Sequence, residues 1–435
     1  MLKKINAILL MILLAGCNYW HNSDISNHFS YYSPKQPTYK QVELTDYSQV
    51  DLGNTSSFRV ALLLPLSGKV ADMGQSMKNA AMMAIGDINN NNLVVQFYDT
   101  KSTGSGARVA AENAINADSD LILGPLLSEE VSAISSLAKS RNIPVISFST
   151  SPSVLQEGVY SIGLLGDTQI ERIVKYAVNN NRTRLAAVFP DNQSGINMFR
   201  ALMKSARNSG AEVIKVGFYS PETMDFTSLV KAMRGKTFTE GEDIELDFNA
   251  LLIPESGNKL KAISSMFNYY DVSAPNVLFL GTSIWANSSL SKETGLYGAV
   301  YPVMSLSKFN HFAERYNDMF GERPSGLSIF AYDAISLASA LSGREYSIYQ
   351  NISNPEGYNG MSGLFRIFEN GHNEHSLDIV KVTAGGEKVI ESAPQRFHAV
   401  YPNSHESYYS GYINMPQIIG KNAAELQNML MNNWQ

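Results

Sequence analysis

Arg59–Val60–Ala61–Leu62–Leu63–Leu64, closed by Pro65, is the most informative segment of this sequence. A short aliphatic run ended by proline is typical of a strand buried on both faces of a parallel sheet. Apolar residues between positions 77 and 88 then recur at i, i+3, i+4 and i+7, which predicts a helix with one buried stripe. The asparagines at residues 89–92 end this helix, so a β-strand followed by an α-helix is expected here.

The same alternation continues along the chain. Predicted strands lie at residues 93–98, 121–123, 144–148, 185–189, 212–218, 250–253 and 277–280, and predicted helices at residues 106–117, 129–140, 168–180, 194–209, 225–234 and 257–268. Strands that alternate with helices of this length indicate right-handed βαβ crossovers and doubly wound sheets. The two consecutive series therefore predict an α/β fold with two Rossmann-like lobes.

The last part of the folded body is predicted to differ. Helices are expected at residues 308–320 and 326–341. Two strands, at residues 364–368 and 377–382, flank a turn that contains Asn370–Gly371, a strong hairpin signal. In open α/β sheets, ligands meet the loops beyond the carboxyl ends of the strands, so function is expected in those loops.

Composition excludes several classes of protein. The chain has 435 residues, more than a single domain of the usual ~100–200 residues. Its 17% charged residues and net charge of −6 argue against a nucleic-acid partner, and its 44% hydrophobic residues argue against a wholly disordered chain. The chain has one cysteine, which excludes a disulfide framework, a cysteine zinc site and an iron–sulfur cluster. No cofactor is expected.

Residues 1–16 have the pattern of a secretion signal. Lys3 and Lys4 precede an apolar run at residues 5–14 that is too short to span a bilayer stably. Leu14–Ala15–Gly16–Cys17 then resembles a bacterial lipobox, in which the cysteine accepts a diacylglycerol. The alternative is a plain signal peptide with Cys17 there by chance. By resemblance to Gram-negative lipoproteins, Asn18 implies a lipid anchor on the periplasmic face of the outer membrane.

Two polar segments flank the predicted body. Residues 17–57 are rich in Asn, Ser, Tyr, Gln and Pro and predict a flexible tether, with a reach of ~35 Å for a random coil of about 40 residues. Residues 396–435 form a polar tail, in which residues 423–434 can form an amphipathic helix. We expect that helix to dock on the body, with a partner contact as the alternative.

Four segments of the first half resemble, in order, the type I periplasmic binding proteins of the leucine-binding class. They lie at residues 64–68, 98–100, 124–128 and 144–149. The resemblance implies two lobes joined by three crossovers, with a cleft between them. It implies a folded domain at residues 58–395, with lobe 1 at about 58–165 and 303–350 and lobe 2 at about 166–302 and 355–395.

A second set of segments, at residues 248–254, 280–285, 330–335 and 360–367, resembles the α-proteobacterial branch of the penicillin-binding protein activators, a lipoprotein family. This resemblance implies a non-enzymatic, lipid-anchored periplasmic protein whose partner is a penicillin-binding protein and which promotes peptidoglycan synthesis. The alternative is the solute-binding protein of an ABC-type uptake system for an amino acid or amide-like ligand.

The leucine-binding class holds the ligand carboxylate with hydroxyl and backbone N–H groups and holds the ammonium with an acid. Short hydroxyl side chains at helix N-termini suit a carboxylate, because they add donors to the positive end of the helix dipole. By this resemblance, the candidate cleft residues are Ser67, Gly68, Ser128, Ser149, Thr150, Ser194, Ser283 and Asp333. An ordinary N-cap explains Ser128 equally well.

The ammonium half of the site departs from the family pattern. Ser283 stands where amino-acid binders usually have an acid, and Ser194 where they usually have an aromatic residue. A buried ammonium without a partner costs several kcal/mol. Amino-acid binding is therefore disfavoured unless Asp99, Asp191 or Asp333 reaches the cleft.

Two further motifs have plain interpretations. His372–Asn373–Glu374–His375 lies in the predicted hairpin turn, where solvated polar residues are expected and a metal pair is the alternative. The acidic segment at residues 240–247 is predicted to be a hydrated loop, with a protein-contact patch as the alternative. No nucleophile–base constellation is visible, so no enzyme activity is expected.

Overall fold

The computed structural model describes residues 40–44, 57–235, 246–287, 290–342, 347–397, 415–420, 423, 424 and 427. The chain divides into two units, Met1–Thr38 and Tyr39–Gln435, and every described residue belongs to the second. The predicted signal peptide and Cys17 lie outside the described residues, as does most of the predicted tail.

The bounds of the described elements are as follows. The strands are β1 (Val42–Glu43), β2 (Phe58–Leu64), β3 (Leu93–Asp99), β4 (Leu121–Leu123), β5 (Val145–Ser147), β6 (Val159–Ser161), β7 (Arg184–Pro190), β8 (Glu212–Tyr219), β9 (Ala250–Leu252), β10 (Leu278–Leu280), β11 (Val300–Val303), β12 (Tyr358–Gly360), β13 (Gly363–Ile367), β14 (Asn373–His375), β15 (Asp378–Thr383), β16 (Gly386–Glu391) and β17 (Gln417–Ile419). The helices are α1 (Ala71–Ile88), α2 (Gly104–Asn116), α3 (Ser128–Ser140), α4 (Gly166–Asn179), α5 (Gln193–Ser209), α6 (Thr227–Arg234), α7 (Gly257–Tyr269), α8 (Leu306–Phe320), α9 (Ser328–Ser342) and α10 (Ile348–Ile352).

The first lobe is built on a five-stranded parallel sheet in the order β3-β2-β4-β5-β6. The central strand β2 is buried on both faces, as its aliphatic run predicts. Val60, Leu62 and Leu64 pack in the core that contains α1 and α9. Ala61 and Leu63 point to the other face, where alanines of α2 and apolar residues of α3 cover them. The sheet is therefore sandwiched between two helical layers.

The second lobe is built on an eight-stranded sheet in the order β16-β15-β11-β10-β9-β7-β8-β17. Its central strands are parallel, whereas β15 and β16 run antiparallel to their neighbours at one edge. Alternate residues of β7 again enter two cores, one with α4 and α5 and one with α6 and α7. At the other edge, β17 comes from the predicted polar tail and pairs in parallel with β8.

The chain passes between the two lobes three times. The passages lie between β6 and α4, between β11 and α8, and between β14 and β15. After the second passage, α8 and α9 pack in the first lobe, so the late helices return there as expected. The prediction of two doubly wound lobes with three crossovers, the type I periplasmic binding protein fold, is confirmed.

The predicted hairpin and the start of the last lobe 2 segment differ from the structure. Strand β13 pairs with the short strand β14 and not with the predicted strand at residues 377–382, since residues from 378 onward form β15 in the second sheet. Residues 358–377 also pack in the first core, so the chain returns to the second lobe near residue 378 and not near 355. The reason is the four-stranded sheet β1-β12-β13-β14, in which the short strand β14 follows the Asn370–Gly371 turn and pairs with β13, and the distant strand β1 pairs with β12.

Five residues of the predicted tether, residues 40–44, differ from the prediction because they pack against the first lobe. Strand β1 pairs in parallel with β12, and the backbone N–H of Leu44 donates to the carbonyl of Asn359 at 2.9 Å. Leu44 is buried in the first core. This strand pairing and the burial of Leu44 make residues 40–44 part of the folded body.

Candidate functional site

A cleft of about 1110 Å³ is lined by residues of both lobes. The first lobe contributes residues 150–153, which follow β5, and one face of α8. The second lobe contributes the loops that follow β7, β9 and β10. These are carboxyl ends of parallel strands, the place where open α/β sheets bind ligands. The cleft is the candidate functional site.

Three of the predicted site residues line this cleft. They are Thr150, Ser194 and Ser283. Ser67, Gly68, Ser128, Ser149 and Asp333 are not among its lining residues. The structure therefore brings together hydroxyl groups from both lobes but leaves most of the predicted set outside the cleft, and ligand contact by any of them stays a prediction.

Contacts within the first lobe account for the positions of the other serines. Ser67 donates its hydroxyl to Asp99 at 2.7 Å. The Ser149 hydroxyl is buried and accepts the backbone N–H of Ser151 at 3.2 Å. Ser128 is the first residue of α3, and Glu130 makes the capping contact by accepting the N–H of Leu127 at 3.0 Å. The N-cap residue is therefore Leu127 and not Ser128, and the side-chain contact at this helix start comes from Glu130.

Asp333 is fully buried in α9 and holds a turn of the small sheet. Its two oxygens accept the backbone N–H groups of Met361 at 2.6 Å and Ser362 at 2.8 Å. Burial raises the pKa of Asp333 to about 6, although these hydrogen bonds and the charge of Lys308 oppose the shift. Asp333 therefore ties α9 to the connection between β12 and β13 and offers no oxygen to the cleft.

Glu255 is the acid that sequence reasoning missed. It follows β9 by three positions and lines the cleft. Its Oε1 accepts a hydrogen bond from the hydroxyl of Tyr219, the last residue of β8. Among the described residues, no cation lies within 4.0 Å of this carboxylate. A signal was available, because an acid directly beyond a buried strand at the expected ligand edge is a candidate by position alone.

Arg323 supplies the opposite charge from the first lobe. It lies between α8 and α9, is exposed, and lines the same cleft. The described part of the chain places no carboxylate within ion-pair distance of its guanidinium. A guanidinium is a planar, permanently charged donor that suits carboxylates. The cleft thus carries one cation and one anion, on different lobes, that no described side chain neutralises.

The other two acids of the cleft have partners. Asp167 contacts Nδ1 of His372 at 3.3 Å, and although burial opposes it, this contact lowers the pKa of the Asp167 carboxyl. Glu387 accepts a hydrogen bond from Tyr301, whose pKa is raised by burial first and then by this glutamate. Neither carboxylate has the open position of Glu255.

The cleft loops of the second lobe are fixed by local contacts. The side-chain oxygen of Gln169 accepts the backbone N–H of Ser283 at 2.8 Å, and its amide nitrogen donates to carbonyls at residues 164 and 165. At the start of α5, Oδ1 of Asn192 accepts the N–H of Gly195 at 3.0 Å. Gly195 is required there, because a Cβ atom would lie 1.9 Å from the carbonyl oxygen of Pro190. These contacts place Ser283 and Ser194 at the cleft wall.

Hydrogen bonds from β14 also hold the first passage between the lobes. Nδ2 of Asn373 donates to the carbonyls of Ser161 at 2.9 Å and Gly163 at 2.8 Å. Nε2 of His375 lies 3.1 Å from the carbonyl of Ile162, and its ring lies between Phe330 and Phe365. Burial lowers the pKa of His375 to about 4. This histidine is therefore a neutral donor to the first passage.

The burial of His375 corrects one prediction, since both histidines of the motif were expected to be solvated. The described residues contain no group of three side chains able to hold a metal ion.

Of the acidic segment at residues 240–247, Asp247 is described and forms an ion pair with the buried Lys215 at 2.7 Å. None of the described helices has the length and apolar character needed to cross a membrane.

A family model described as "Periplasmic binding protein" matches residues 57–387. The chain belongs to this family. The match spans the five-stranded sheet of the first lobe and the central strands of the second, together with the loops that line the cleft. Family membership confirms the coarser part of the sequence-based recognition, the leucine-binding fold, and does not show the penicillin-binding protein activator identity.

Curated relatives share modest identity. The uncharacterized protein RP748 of Rickettsia prowazekii is 20% identical over 330 residues, which cover 75% of this chain and 86% of that protein. The leucine-specific-binding protein of Salmonella typhimurium is 24% identical over 248 residues, which cover 54% of this chain and 64% of that protein. The alignment thus spans less than two thirds of the Salmonella protein.

Solved structures confirm the fold. A putative branched-chain amino acid ABC transporter protein from Rhodospirillum rubrum has a TM-score of 0.67 at 15% identity, covering 77% of this chain and 100% of that one. A branched-chain amino acid substrate binding protein from Streptococcus pneumoniae, in complex with isoleucine, has a TM-score of 0.55 at 18% identity, covering 78% and 100%. At these identities the likeness shows the shared architecture alone.

Proposed function

We propose that this periplasmic binding protein is a solute-binding protein whose cleft captures a small zwitterionic solute, an amino acid or amide-like compound. The observation that carries the proposal is the carboxylate of Glu255, which lines the cleft without a cationic partner among the described residues. Sequence patterns disfavour such a ligand because the family's usual acid position is Ser283. Glu255 provides the missing negative charge from a neighbouring loop.

The charge arrangement favours a solute with both signs. Glu255 and Arg323 line the cleft from different lobes, so a solute that bears an ammonium and a carboxylate can neutralise both. Thr150 and the adjacent Ser151 add hydroxyl donors on the first lobe. Hydrogen bonds to charged groups contribute about 1.5–3 kcal/mol each, so one such contact from each lobe gives useful affinity.

Relatives support the class of ligand. The Salmonella relative is named as a leucine-specific-binding protein, and one structural neighbour is in complex with isoleucine. Because one fold hosts many functions, the charges and hydroxyls of this cleft are the stronger support. The proposal includes uptake through an ABC-type system and no catalytic step.

A thermal-shift screen of the folded body against amino acids, their amides and short peptides tests the proposal. A solute at a hundred times its Kd stabilises the bound form by about 2.7 kcal/mol. The expected result is a rise in Tm with at least one zwitterion and no rise with the same compound in the Glu255→Gln variant. If no compound of the panel raised the Tm of a correctly folded protein, this result would count against solute capture.

The penicillin-binding protein activator interpretation draws less support from the geometry. Its sequence segments contribute mainly to packing: Phe248, Leu251 and Trp285 are buried, and the indole N–H donates to the carbonyl of Ile253 at 2.9 Å. Packing accounts for these residues without a partner enzyme. Pull-down with each penicillin-binding protein separates the two hypotheses, because the activator hypothesis requires a complex in the absence of any solute.

Location is proposed in two steps. Membership in the periplasmic binding protein family supports a periplasmic location. The lipid anchor at Cys17 and its outer-membrane position rest on the lipobox and Asn18 alone. Mass spectrometry of the mature N-terminus tests whether Cys17 carries the lipid. In a second test, we expect the Cys17→Ser variant to be released from the membrane fraction.

A further inference from the structure

A second cavity, of about 530 Å³, lies on the other side of α8 from the cleft. Leu306, Phe309, Asn310 and Ala313 of α8 line the cleft. Lys308, His311 and Arg315 of the same helix line the second cavity. Residues three and four positions apart share one helix face, so three basic side chains project together here.

The described contacts of this cavity's basic side chains do not use all of their hydrogen-bond donors. Lys308 donates to Oδ1 of Asn359 at 2.6 Å and to the carbonyl of Gly360 at 2.8 Å, which uses two of the three N–H donors of an ammonium. Arg315 donates to both oxygens of Asp87 through Nη2 and is also hydrogen-bonded to Tyr332, whereas a guanidinium carries five N–H donors. His311 is exposed and makes no hydrogen bond within the described part of the chain.

The acid of this cavity, by contrast, is already occupied. Asp87 accepts from Arg315 at 2.7 and 2.8 Å and from the hydroxyl of Tyr332 at 2.6 Å. Outside the cavity lining, Glu43 accepts the side-chain amide of Asn359 at 2.9 Å. The groups left over are donors, and donors that carry positive charge are the groups that bind oxyanions.

We propose that this cavity is a second binding site, for a small oxyanion such as a phosphate or a carboxylate, held by Lys308, His311 and Arg315. The site lies in the first lobe and is separated from the solute cleft by α8. Its volume admits inorganic phosphate or a short dicarboxylate. The inference is independent of the solute that the cleft binds.

Isothermal titration of the folded body with inorganic phosphate and, separately, with succinate tests the site. Sodium chloride at matched ionic strength measures nonspecific screening. We expect one phosphate or succinate per chain, and the stronger of the two identifies the class of oxyanion. Binding should weaken at least tenfold in His311→Glu, which places a carboxylate at the cavity without disturbing a packed residue, and in Lys308→Met.

The matched control is Asn317→Glu, which introduces the same carboxylate at an exposed position of the same helix that does not line the cavity. The affinity of Asn317→Glu for phosphate or succinate should stay within twofold of that of the unaltered protein. The cleft variant Glu255→Gln should likewise bind these two probes with unchanged affinity. No heat with either probe would overturn the site. Equal weakening by Asn317→Glu and His311→Glu would also overturn it, because a general field effect would then explain the binding.

Discussion

The hydroxyl of Tyr219 donates a hydrogen bond to Oε1 of Glu255 at the carboxyl edge of the second sheet. Burial and then the neighbouring glutamate raise the pKa of Tyr219, so the phenol keeps its proton and remains the donor. One carboxylate oxygen is thereby fixed by a strand residue. The other oxygen is left to the cleft, where the proposed solute places its ammonium.

Removing this hydroxyl should weaken solute binding without unfolding the lobe. In Tyr219→Phe the ring keeps its edge contact with Phe226, at 5.2 Å between centroids, but Glu255 loses its fixed orientation. We expect Kd to rise about three- to tenfold, because Glu255 keeps its charge and loses only the orientation that this hydrogen bond provides, a cost of about 0.5–1.5 kcal/mol. Titration calorimetry measures it. Tyr297→Phe, which removes a hydroxyl bonded to Ser291 at 2.7 Å outside the cleft, should leave Kd unchanged.

A Cβ atom at Gly195 should disturb the cleft wall. The 1.9 Å approach to the carbonyl of Pro190 forces the start of α5 to move, and Ser194 moves with it. We expect Gly195→Ala to lower the free energy of unfolding by about 1–3 kcal/mol, as overpacking does, and to weaken solute binding. Urea unfolding measures the first effect.

Gly86→Ala is the matched control, because no atom lies within 4 Å of its Cβ position in α1. There the substitution should raise the free energy of unfolding by about 0.5–1 kcal/mol through helix propensity. If both variants changed stability by the same amount, the close approach at Gly195 would be wrong.

The sequence predicts those structural features that are encoded within one short segment. The run at β2 alternates between two cores, and the turns after β5, β7 and β10 bring Thr150, Ser194 and Ser283 to the cleft. Buried strands, helix stripes and strand-end loops are each encoded within one short segment. The fold and part of the cleft wall could therefore be predicted from the sequence.

What the sequence does not predict depends on distant partners. His375 is buried because its ring stacks on Phe365, its partner in the pairing of β13 with β14, and also contacts Phe330 of the distant helix α9. Asp333 accepts N–H groups from a turn about 30 residues away along the chain. Glu255 could have been chosen by its position after β9, but the hydrogen bond that fixes its carboxylate comes from Tyr219, at the end of another strand.

Asn373 should be important for stability. Its side chain donates to two carbonyls of the first passage, and it is buried. Asn373→Ala leaves both carbonyls without this donor, so we expect the free energy of unfolding to fall by about 1–3 kcal/mol. Asn180→Ala, which removes an exposed amide bonded within α4 at 2.9 Å, is the control and should cost less. An equally small effect at Asn373 would show that the passages are not held by this residue.

His375 should make the fold sensitive to acid. Its pKa falls from 6.5 to about 4 on burial, so the unfolded chain takes up a proton that the folded chain refuses. Stability is therefore lost as pH falls from 6.5 through 4, by roughly 3 kcal/mol for this group at the lower end. His375→Gln keeps an amide donor for Ile162 but does not titrate.

Urea unfolding at several pH values between 7.5 and 4 checks this expectation. The stability advantage of the unaltered protein over His375→Gln should shrink steadily toward pH 4. Asp333, whose pKa is raised to about 6, contributes the opposite slope, but it is present in both proteins and cancels in the difference. A difference that stays constant with pH would contradict a neutral, buried His375.

The most direct measurement of the central claim is a titration cycle with two proteins and two ligands. The proteins are the unaltered chain and Glu255→Gln, and the ligands are the best zwitterion of the screen and its analogue without the amino group. If Glu255 binds the ammonium, loss of the amino group weakens binding at least tenfold in the unaltered protein and has little effect in the variant. An equal loss of affinity in both proteins would contradict the account.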